Sequence, residues 1–213
     1  MREVTGGRTR RISHRRARSG VERDDLGGVA PTALRTQNHP MTAELPGVPT
    51  PPPAKVPMDL AAYETRVRTG GCFICPIATG EERTHEVVYE DDDHIAFLGA
   101  YPTLLGHTLV CPKEHLTRVV ADFTPAAYLA MQAVVHRVAR AVETVVGAER
   151  MYVLSLGSMQ GNAHVHWHLS PLPPGVPYRE QQHHALMTEN GILAWDRERA
   201  AALGAQIRDA LGG

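Results

Sequence analysis

The chain has 213 residues, 43% of them hydrophobic, and a formal net charge of -1 at pH 7. These values fit one globular domain with additional segments, and the near-neutral charge gives no reason to expect a nucleic acid partner. The sequence contains neither a run of eighteen apolar residues nor an apolar secretory leader, and its three cysteines suit a reducing compartment. We therefore expect a cytoplasmic protein that does not bind membranes.

Residues 1–57 differ in composition from the rest of the chain. Arginines crowd the first part, prolines crowd the last part, and few aliphatic residues lie between them. Such a segment buries too little apolar surface to offset its ordering entropy, so we predict a disordered tail. A start codon placed upstream of the true one, at Met41 or Met58, is an alternative. Contact of the arginines with nucleic acid or membrane, and a mitochondrial presequence, are less favoured.

A short helix is predicted near residue 60, and it leads to the motif Cys72-Phe73-Ile74-Cys75. A Cys-x-x-Cys pair indicates a metal site or a redox dithiol. A redox pair normally follows a strand and opens a helix, and the proline and glycines around this motif argue against that context. A metal site needs two further ligands, for which His115 and one histidine of the run at 164–168 are candidates. Two ordinary thiols are the alternative.

The segment from residue 86 to 121 is predicted to contain three strands and a short helix. Its apolar runs are bounded by turn-forming residues, which is typical of short strands. The predicted strands cover 86–90, 94–98 and 107–111, and the first two form a hairpin. The short helix is predicted over 116–121.

One long helix follows, because Thr124 and Pro125 supply an N-cap and a first-turn proline and apolar residues keep helical spacing to about Gly147. Strands at 151–158 and 164–172 then complete the sheet. The sequence thus predicts an α+β fold with about five antiparallel strands, one long helix and one short helix. Pairing of the last two strands places the loop at 157–162 beside the final strand, where free backbone N–H groups can bind an oxyanion.

The final strand carries the strongest functional signal. His164, His166 and His168 alternate with apolar residues, which is the period of a strand buried on one face. We expect the imidazoles to project to the other face, with neighbours roughly 6.5–7 Å apart, and to line a common phosphate pocket. There they can attack, donate protons and accept them. A surface histidine ladder, or a core strand without chemistry, is the alternative.

After residue 178 the chain becomes polar and then ends in a predicted helix around 192–211. The sequence is therefore divided into the tail at 1–57, a domain at 58–178 and a C-terminal helical extension at 179–213. The apolar stripe of the last helix is expected to cover a subunit or domain surface.

Six motifs follow one another between about 72 and 174, namely Cys72-x-x-Cys75, Tyr89-Glu90-Asp91, Ala96-Phe97-Leu98, Gly106-His107-Thr108-Leu109-Val110, Pro112-Lys113-x-His115 and His164-x-His166-x-His168. In this order they resemble the histidine-triad (HIT) nucleotide hydrolases and transferases. The resemblance implies that 58–178 is a HIT domain with an α+β sheet fold, that it forms a homodimer, and that it acts at the α-phosphate of a nucleotide. It implies no metal at phosphorus and no organic cofactor.

The resemblance also implies roles for individual residues. His166 corresponds to the nucleophile, which forms a nucleotidyl-histidine that water later cleaves. His168 corresponds to the histidine that contacts phosphate and assists the leaving group. Contacts to phosphate or substrate are assigned to His107 and to four residues of the loop before the triad, namely Ser158, Gln160, Gly161 and Asn162.

Zinc-containing members of this family imply a structural zinc site formed here by Cys72, Cys75, His115 and His164. One departure concerns the ribose, because Gly99 stands where members commonly have Asp or Asn. The substrate stays open among dinucleoside polyphosphates, nucleoside phosphoramidates and nucleotidyl-sulfates.

Two other functions compete with nucleotidyl transfer to water. One is a zinc hydrolase in which the histidines coordinate a catalytic metal, as His-x-His strands can do. The other is a non-catalytic nucleotide-binding module. An acid-labile nucleotide adduct on His166 would separate the three.

Overall fold

The computed structural model describes residues 53–212, so most of the predicted N-terminal tail and the alternatives for its arginines lie outside the described residues. The central feature is a five-stranded antiparallel sheet with the order β2-β3-β4-β6-β5, and a two-stranded sheet pairs β1 with β7. The strands are β1 (Lys55–Val56), β2 (Val87–Glu90), β3 (His94–Leu98), β4 (Thr108–Pro112), β5 (Arg150–Ser155), β6 (Trp167–Leu172) and β7 (Ile192–Leu193).

Five α-helices accompany the sheets within residues 53–212. They are α1 (Leu60–Thr69), α2 (Ile74–Ala78), α3 (Pro125–Val146), α4 (His183–Leu186) and α5 (Arg197–Gly212). Three of them, α1, α3 and α5, lie where the sequence predicts a helix near residue 60, from Pro125 to about Gly147 and around 192–211. The predicted α+β class and the five-stranded antiparallel sheet are confirmed. Among the described residues, no helix combines the length and hydropathy that crossing a bilayer requires.

The long helix α3 begins and ends where its sequence predicts. The Thr124 hydroxyl accepts a hydrogen bond from the Ala127 N–H at 3.1 Å, and Pro125 occupies the first turn. Gly147 follows the helix with a φ of 63°, a left-handed conformation that glycine adopts without steric cost. One face of α3 is buried in the main core. There it packs with three apolar residues that lie within or just after the histidine run, namely Val165, Trp167 and Leu169.

The sheet is covered on both faces, which its alternating residues explain. On β3, Ala96 and Leu98 join the α3 core, whereas Ile95 and Phe97 join a second cluster with Ile74 of α2. The β3 and β4 strands are therefore apolar almost throughout. The short helix α2 thereby places the Cys-x-x-Cys motif against the sheet face opposite α3.

Three sequence-based predictions of local structure are wrong. No helix forms at 116–121, because the Asp122 carboxylate accepts hydrogen bonds from the Thr117 and Arg118 N–H groups and holds this segment in an irregular turn. The predicted strand at 151–158 ends early, at Ser155, and the predicted strand at 164–172 begins late, at Trp167, since their mutual pairing stops at these two residues. The motif Cys72–Cys75 runs into helix α2, contrary to the expectation that no helix would be there.

The C-terminal part of the chain is built into this fold. Helix α5 is shorter than predicted because Ile192 and Leu193 instead pair with β1. Its apolar stripe enters the α3 core through Ala200, Leu203 and Ile207. Thus the last helix covers a surface of its own chain, and residues 55–56, predicted to be disordered, form a strand. The domain boundaries at 58, 178 and 179 stay predictions.

Replacing Ile207 with alanine tests whether α5 is integral to the core. Because Ile207 is 0% exposed, we expect Ile207→Ala to lower the free energy of unfolding by about 2–5 kcal/mol. Leu129→Ala is the matched control, since Leu129 on α3 is 68% exposed, and its effect should stay within about 0.5 kcal/mol. Urea unfolding measures both, and equal effects would contradict the packing of α5.

Candidate functional site

The three histidines of the run lie just before and at the start of β6. Their side chains are on the side of the chain away from the α3 core. Val165 and Trp167 are 3% and 4% exposed and pack in the α3 cluster, so the alternation predicted from the sequence is confirmed. Only His168 lies within the sheet, opposite Leu109 of β4 and Leu154 of β5. Before it the chain leaves the sheet, where the Val165 N–H donates to the Leu116 carbonyl at 2.7 Å.

His164 belongs to a cluster with both cysteines of the Cys-x-x-Cys motif. Its Nδ1 lies 3.4 Å from Sγ of Cys72 and 3.6 Å from Sγ of Cys75, which in turn is 3.2 Å from Nδ1 of His115. All four donor atoms lie within 4.8 Å of one another. Four residues from three separate chain segments thus converge on one point, as predicted.

The donor set fits a tetrahedral zinc ion. Bonds of about 2.0–2.3 Å to nitrogen and sulfur place neighbouring tetrahedral ligands about 3.3–3.8 Å apart, close to the observed separations. The Nε2–H of His164 donates to the Pro112 carbonyl at 2.9 Å, which leaves Nδ1 free to bind a metal. Burial and the adjacent Cys72 raise the pKa of the Cys75 thiol to about 11. A cation between the two sulfurs would reverse that effect and favour the thiolates.

His166 is held in one orientation by its own backbone. Its Nδ1 lies 2.7 Å from the His164 carbonyl oxygen, so Nδ1 carries the proton and donates. Nε2 is therefore the unprotonated nitrogen, and it makes no hydrogen bond to residues 53–212 that the structure records. Burial lowers the pKa of His166, although the bond to the carbonyl opposes that shift. A neutral imidazole with a free Nε2 lone pair results.

His168 pairs with His107 across β6 and β4. Nε2 of His107 lies 3.0 Å from Nδ1 of His168, and the two rings are nearly coplanar, with 8° between their planes. Burial, followed by the charge of neighbouring histidines, lowers the pKa of His107 to about 4 and that of His168 to about 3. Both are neutral at pH 7. If His107 donates, the proton on His168 is on Nε2, which has no protein partner and is free to donate to an oxygen.

Gly99 is required by this pair of histidines. A Cβ at position 99 would lie 2.9 Å from Nδ1 of His107, too close without movement of the ring. The Gly99 N–H also donates to the His107 carbonyl at 2.9 Å. Thus the residue that departs from the usual ribose-binding position is explained here by close packing against His107.

The loop at 157–162 approaches His166 but its amides are partly used. The N–H groups of Ser158 and Gly161 each donate to the other residue's carbonyl, at 3.2 and 3.0 Å, and the Gln160 N–H donates to the Ser158 hydroxyl at 3.2 Å. A Cβ at Gly157 would lie 3.8 Å from Cε1 of His166. The expectation of free amides is therefore wrong for three of these residues, while the position of the loop beside the histidines is as predicted.

The spacing and openness predicted for the imidazoles are also wrong. His166 and His168 have ring centroids 4.8 Å apart and inclined at 61°, closer than a regular strand allows, because only His168 is in the sheet. His166 is 4% exposed. Two clefts of about 400 Å³ and 180 Å³ lie nearby on the surface, and neither is lined by a histidine of the run. His166 is thus buried, whereas His107 and His168 are partly exposed.

Several residues that support the site were missed by sequence reasoning. The Ser155 hydroxyl donates to the His166 carbonyl at 2.8 Å, and the Phe73 ring meets the His166 ring edge to face at 6.2 Å. The carbonyl of Pro112 orients His164. A carbonyl gives no sequence signal, but the position of Phe73 inside the Cys-x-x-Cys motif could have suggested its place near His164 and His166.

Comparison with known proteins agrees with the motifs. The HIT domain family matches residues 80–174. An uncharacterized HIT-like protein of Mycobacterium tuberculosis is 36% identical over 104 residues, which is 48% of this chain and 71% of that protein. An adenosine 5'-monophosphoramidase of Danio rerio is 40% identical over 45 residues, which is 21% of this chain and 28% of that protein.

Solved structures give the same result. A zinc-bound histidine triad family protein of Mycobacterium smegmatis is 27% identical, has a TM-score of 0.54, and matches 67% of this chain and 94% of its own. A histidine triad nucleotide-binding protein of Sulfolobus tokodaii is 26% identical, has a TM-score of 0.55, and matches 66% of this chain and 92% of its own. With the histidine run, the sheet and these relatives in agreement, the chain belongs to the HIT family.

Proposed function

We propose that the protein hydrolyses a nucleotide at its α-phosphate through a covalent intermediate on His166. The observation that carries this proposal is the hydrogen bond from Nδ1 of His166 to the His164 carbonyl at 2.7 Å. It fixes the tautomer in which Nε2 has a lone pair, and burial keeps the ring neutral. The side chain is thus prepared for nucleophilic attack without a separate base.

In the first step, Nε2 of His166 attacks the α-phosphorus, and the bond from phosphorus to the leaving group breaks. The Nε2–H of His168, whose ring is held by His107, donates a hydrogen bond to the leaving group, which takes its proton from solvent as it departs. In the second step, water attacks the same phosphorus, the bond to His166 breaks, the proton of that water passes to solvent, and nucleoside monophosphate departs. Neither step requires a metal at phosphorus.

The substrate is proposed to be a nucleoside phosphoramidate or a dinucleoside polyphosphate. The similarity to the Danio rerio phosphoramidase supports the first class, although it spans only 45 residues. A neutral His168 that donates a hydrogen bond suits an amine or a phosphate leaving group, because both are stabilised by a donor on departure. A panel of both substrate classes scored by turnover distinguishes them.

The geometry does not favour the competing metal-dependent hydrolysis. The three imidazoles of the run are directed to different partners: His164 to the cysteines, His166 to a carbonyl and His168 to His107. They share no point at which a catalytic ion could bind all three. The Cys72, Cys75, His115 and His164 group supplies four donors, the number that closes a structural site and leaves no position for a reacting water.

Trapping the intermediate tests the proposal. After brief mixing with a labelled adenosine phosphoramidate and a quench, we expect acid-labile label on His166, because the attacking nitrogen becomes part of a P–N bond. His166→Asn should lose the label and lower kcat/KM by at least about a hundredfold, since nucleophilic catalysis is removed.

His136→Asn is the matched control, because His136 is an exposed histidine of α3. It should label and turn over as the unchanged protein does. Turnover without label on His166 would favour metal-dependent hydrolysis. Tight nucleotide binding with neither label nor turnover would favour a non-catalytic binding module.

We also propose that Cys72, Cys75, His115 and His164 hold a structural zinc ion that braces the segment below His166. The separations of 3.2–3.6 Å between neighbouring donors, and the composition of two sulfurs and two nitrogens, support this assignment. The zinc-bound relative from Mycobacterium smegmatis supports it further. When bound, the ion would fix His164, whose carbonyl orients His166.

Metal analysis checks the zinc assignment. We expect about one zinc per chain in the purified protein, loss of that zinc in Cys75→Ser, and a lower melting temperature, because metal binding stabilises only the folded site. Cys111→Ala is the control, since Cys111 is buried in the sheet core and outside the cluster. It should keep its zinc. Equal zinc content in both variants would contradict the assignment.

A homodimer stays a prediction of the resemblance, and we propose that β5 lies at its interface. β5 is at one edge of the sheet, with unpaired backbone groups along its free side. Val153 on β5 and the adjoining Leu156 and Met159 are 47%, 58% and 72% exposed. An exposed apolar edge strand is a surface that pairing with a second chain would cover.

Light scattering after size-exclusion chromatography tests the dimer. We expect twice the mass of one chain for the unchanged protein and a shift toward one chain for Val153→Arg, because a buried arginine without a partner opposes association. Ala133→Arg, on the exposed face of α3, is the control and should leave the mass unchanged. A single-chain mass for the unchanged protein would refute the dimer.

A further inference from the structure

Helix α1 contacts two segments that flank the histidine site, although none of its own residues is buried. It precedes the region that matches the HIT domain family, residues 80–174. Its start is capped, since the Asp59 carboxylate accepts a hydrogen bond from the Ala62 N–H at 2.9 Å.

On one side, α1 contacts the loop that approaches His166. The Asn162 side-chain amide donates to the Tyr63 hydroxyl at 2.9 Å. One turn further along, Val67 lies against Gly161, where a Cβ would be 2.2 Å from Cγ1 and 2.9 Å from the carbonyl oxygen of Val67. Gly161 therefore allows the helix to lie directly on the loop.

On the other side, α1 contacts the segment that follows β3. The rings of Tyr63 and Tyr101 meet edge to face with centroids 5.8 Å apart. The Arg66 guanidinium lies 5.2 Å from the centroid of each ring, a distance at which a cation is attracted to an aromatic face. Tyr101 is two residues from Gly99, which lies against His107.

Helix α1 thus joins the two walls of the histidine site. One wall is the loop beside His166, and the other is the segment beside His107. His166, which lies beside one of these two walls, is 4% exposed. A phosphorus atom must come within bonding distance of Nε2 for the reaction proposed above, so the observed arrangement has to open before a substrate reaches it.

The junctions of α1 with its neighbours permit such an opening. The helix ends at Gly70-Gly71, two residues with little conformational restriction, immediately before Cys72. A Cβ at Gly71 would have no neighbour within 4 Å. On the N-terminal side, Val56 is held by pairing with Ile192. The helix is therefore tethered at both ends and attached to the site mainly through Tyr63, Arg66 and Val67.

We propose that α1 is a cover that must lift from the 157–162 loop before a ligand reaches His166, and that Tyr63 is its latch. The apparent affinity of any ligand for His166 is then reduced in proportion to the fraction of molecules with α1 lifted. Weakening the latch raises that fraction. The catalytic purpose of this access rests on the proposed function, but access itself is a property of the protein without nucleotide.

Carbethoxylation of His166 by diethyl pyrocarbonate measures this access directly, with peptide mapping by mass spectrometry. Tyr63→Phe keeps the ring and removes one hydrogen bond, so we expect modification of His166 to be roughly 2- to 10-fold faster. Tyr63→Phe with Val67→Ala removes a second contact and should be faster still. The exposed His136 serves as an internal reference whose rate stays constant in every variant.

Tyr101→Phe is the matched control, because it removes a hydroxyl from the same aromatic cluster and leaves the partner of Asn162 in place. It should react at the rate of the unchanged protein. Equal His166 rates in the unchanged protein, Tyr63→Phe and the double variant would overturn the cover. If those rates rise while no nucleotidyl adduct forms, the cover stands and the proposed function fails. If the adduct forms and the rates are equal, the reverse holds.

Discussion

The site depends on the way five consecutive residues, 164–168, are held from both sides. Val165 and Trp167 are fixed in the α3 core, and the intervening imidazoles are therefore directed away from it. His164 then reaches the cysteines, and its carbonyl is left to accept from His166. The backbone carbonyl of His164 thus connects the cysteine and histidine cluster to His166, the nucleophile proposed here. Few other contacts in the fold have consequences for both.

This arrangement explains why the two halves of the site come from distant parts of the sequence. The cysteines lie before β2 in the chain, and β2 is an edge strand of the main sheet. The histidine run leads into β6, which is the fourth strand across that sheet. The α2 helix packs against the sheet face opposite α3, which brings Cys75 close to His164. A closed set of four ligands would hold these segments together more firmly than hydrogen bonds between thiols and imidazoles do.

The imidazoles of the site carry no charge at neutral pH. Burial lowers the pKa values of His107, His166 and His168, and repulsion from neighbouring histidines adds to this effect for His107 and His168. Neutral imidazoles can attack and donate hydrogen bonds, whereas imidazolium can only donate. The cover proposed for α1 would act in the same direction, because exclusion of water strengthens hydrogen bonds to a reacting phosphate.

The sequence by itself determined the fold class, the limits of α3 and β3, and the inward alternation at Val165 and Trp167, since capping residues and hydrophobic period act locally. It also indicated, through a family resemblance, four residues that could bind a metal, and the structure brings these two cysteines and two histidines together. Only the tertiary structure decided that β6 begins at Trp167, that His107 pairs with His168, and that α1 bridges the 157–162 loop and Tyr101. Those features arise from strand pairing and from contacts between segments as many as 99 residues apart. No local pattern encodes them, because they depend on which surfaces the rest of the chain leaves available.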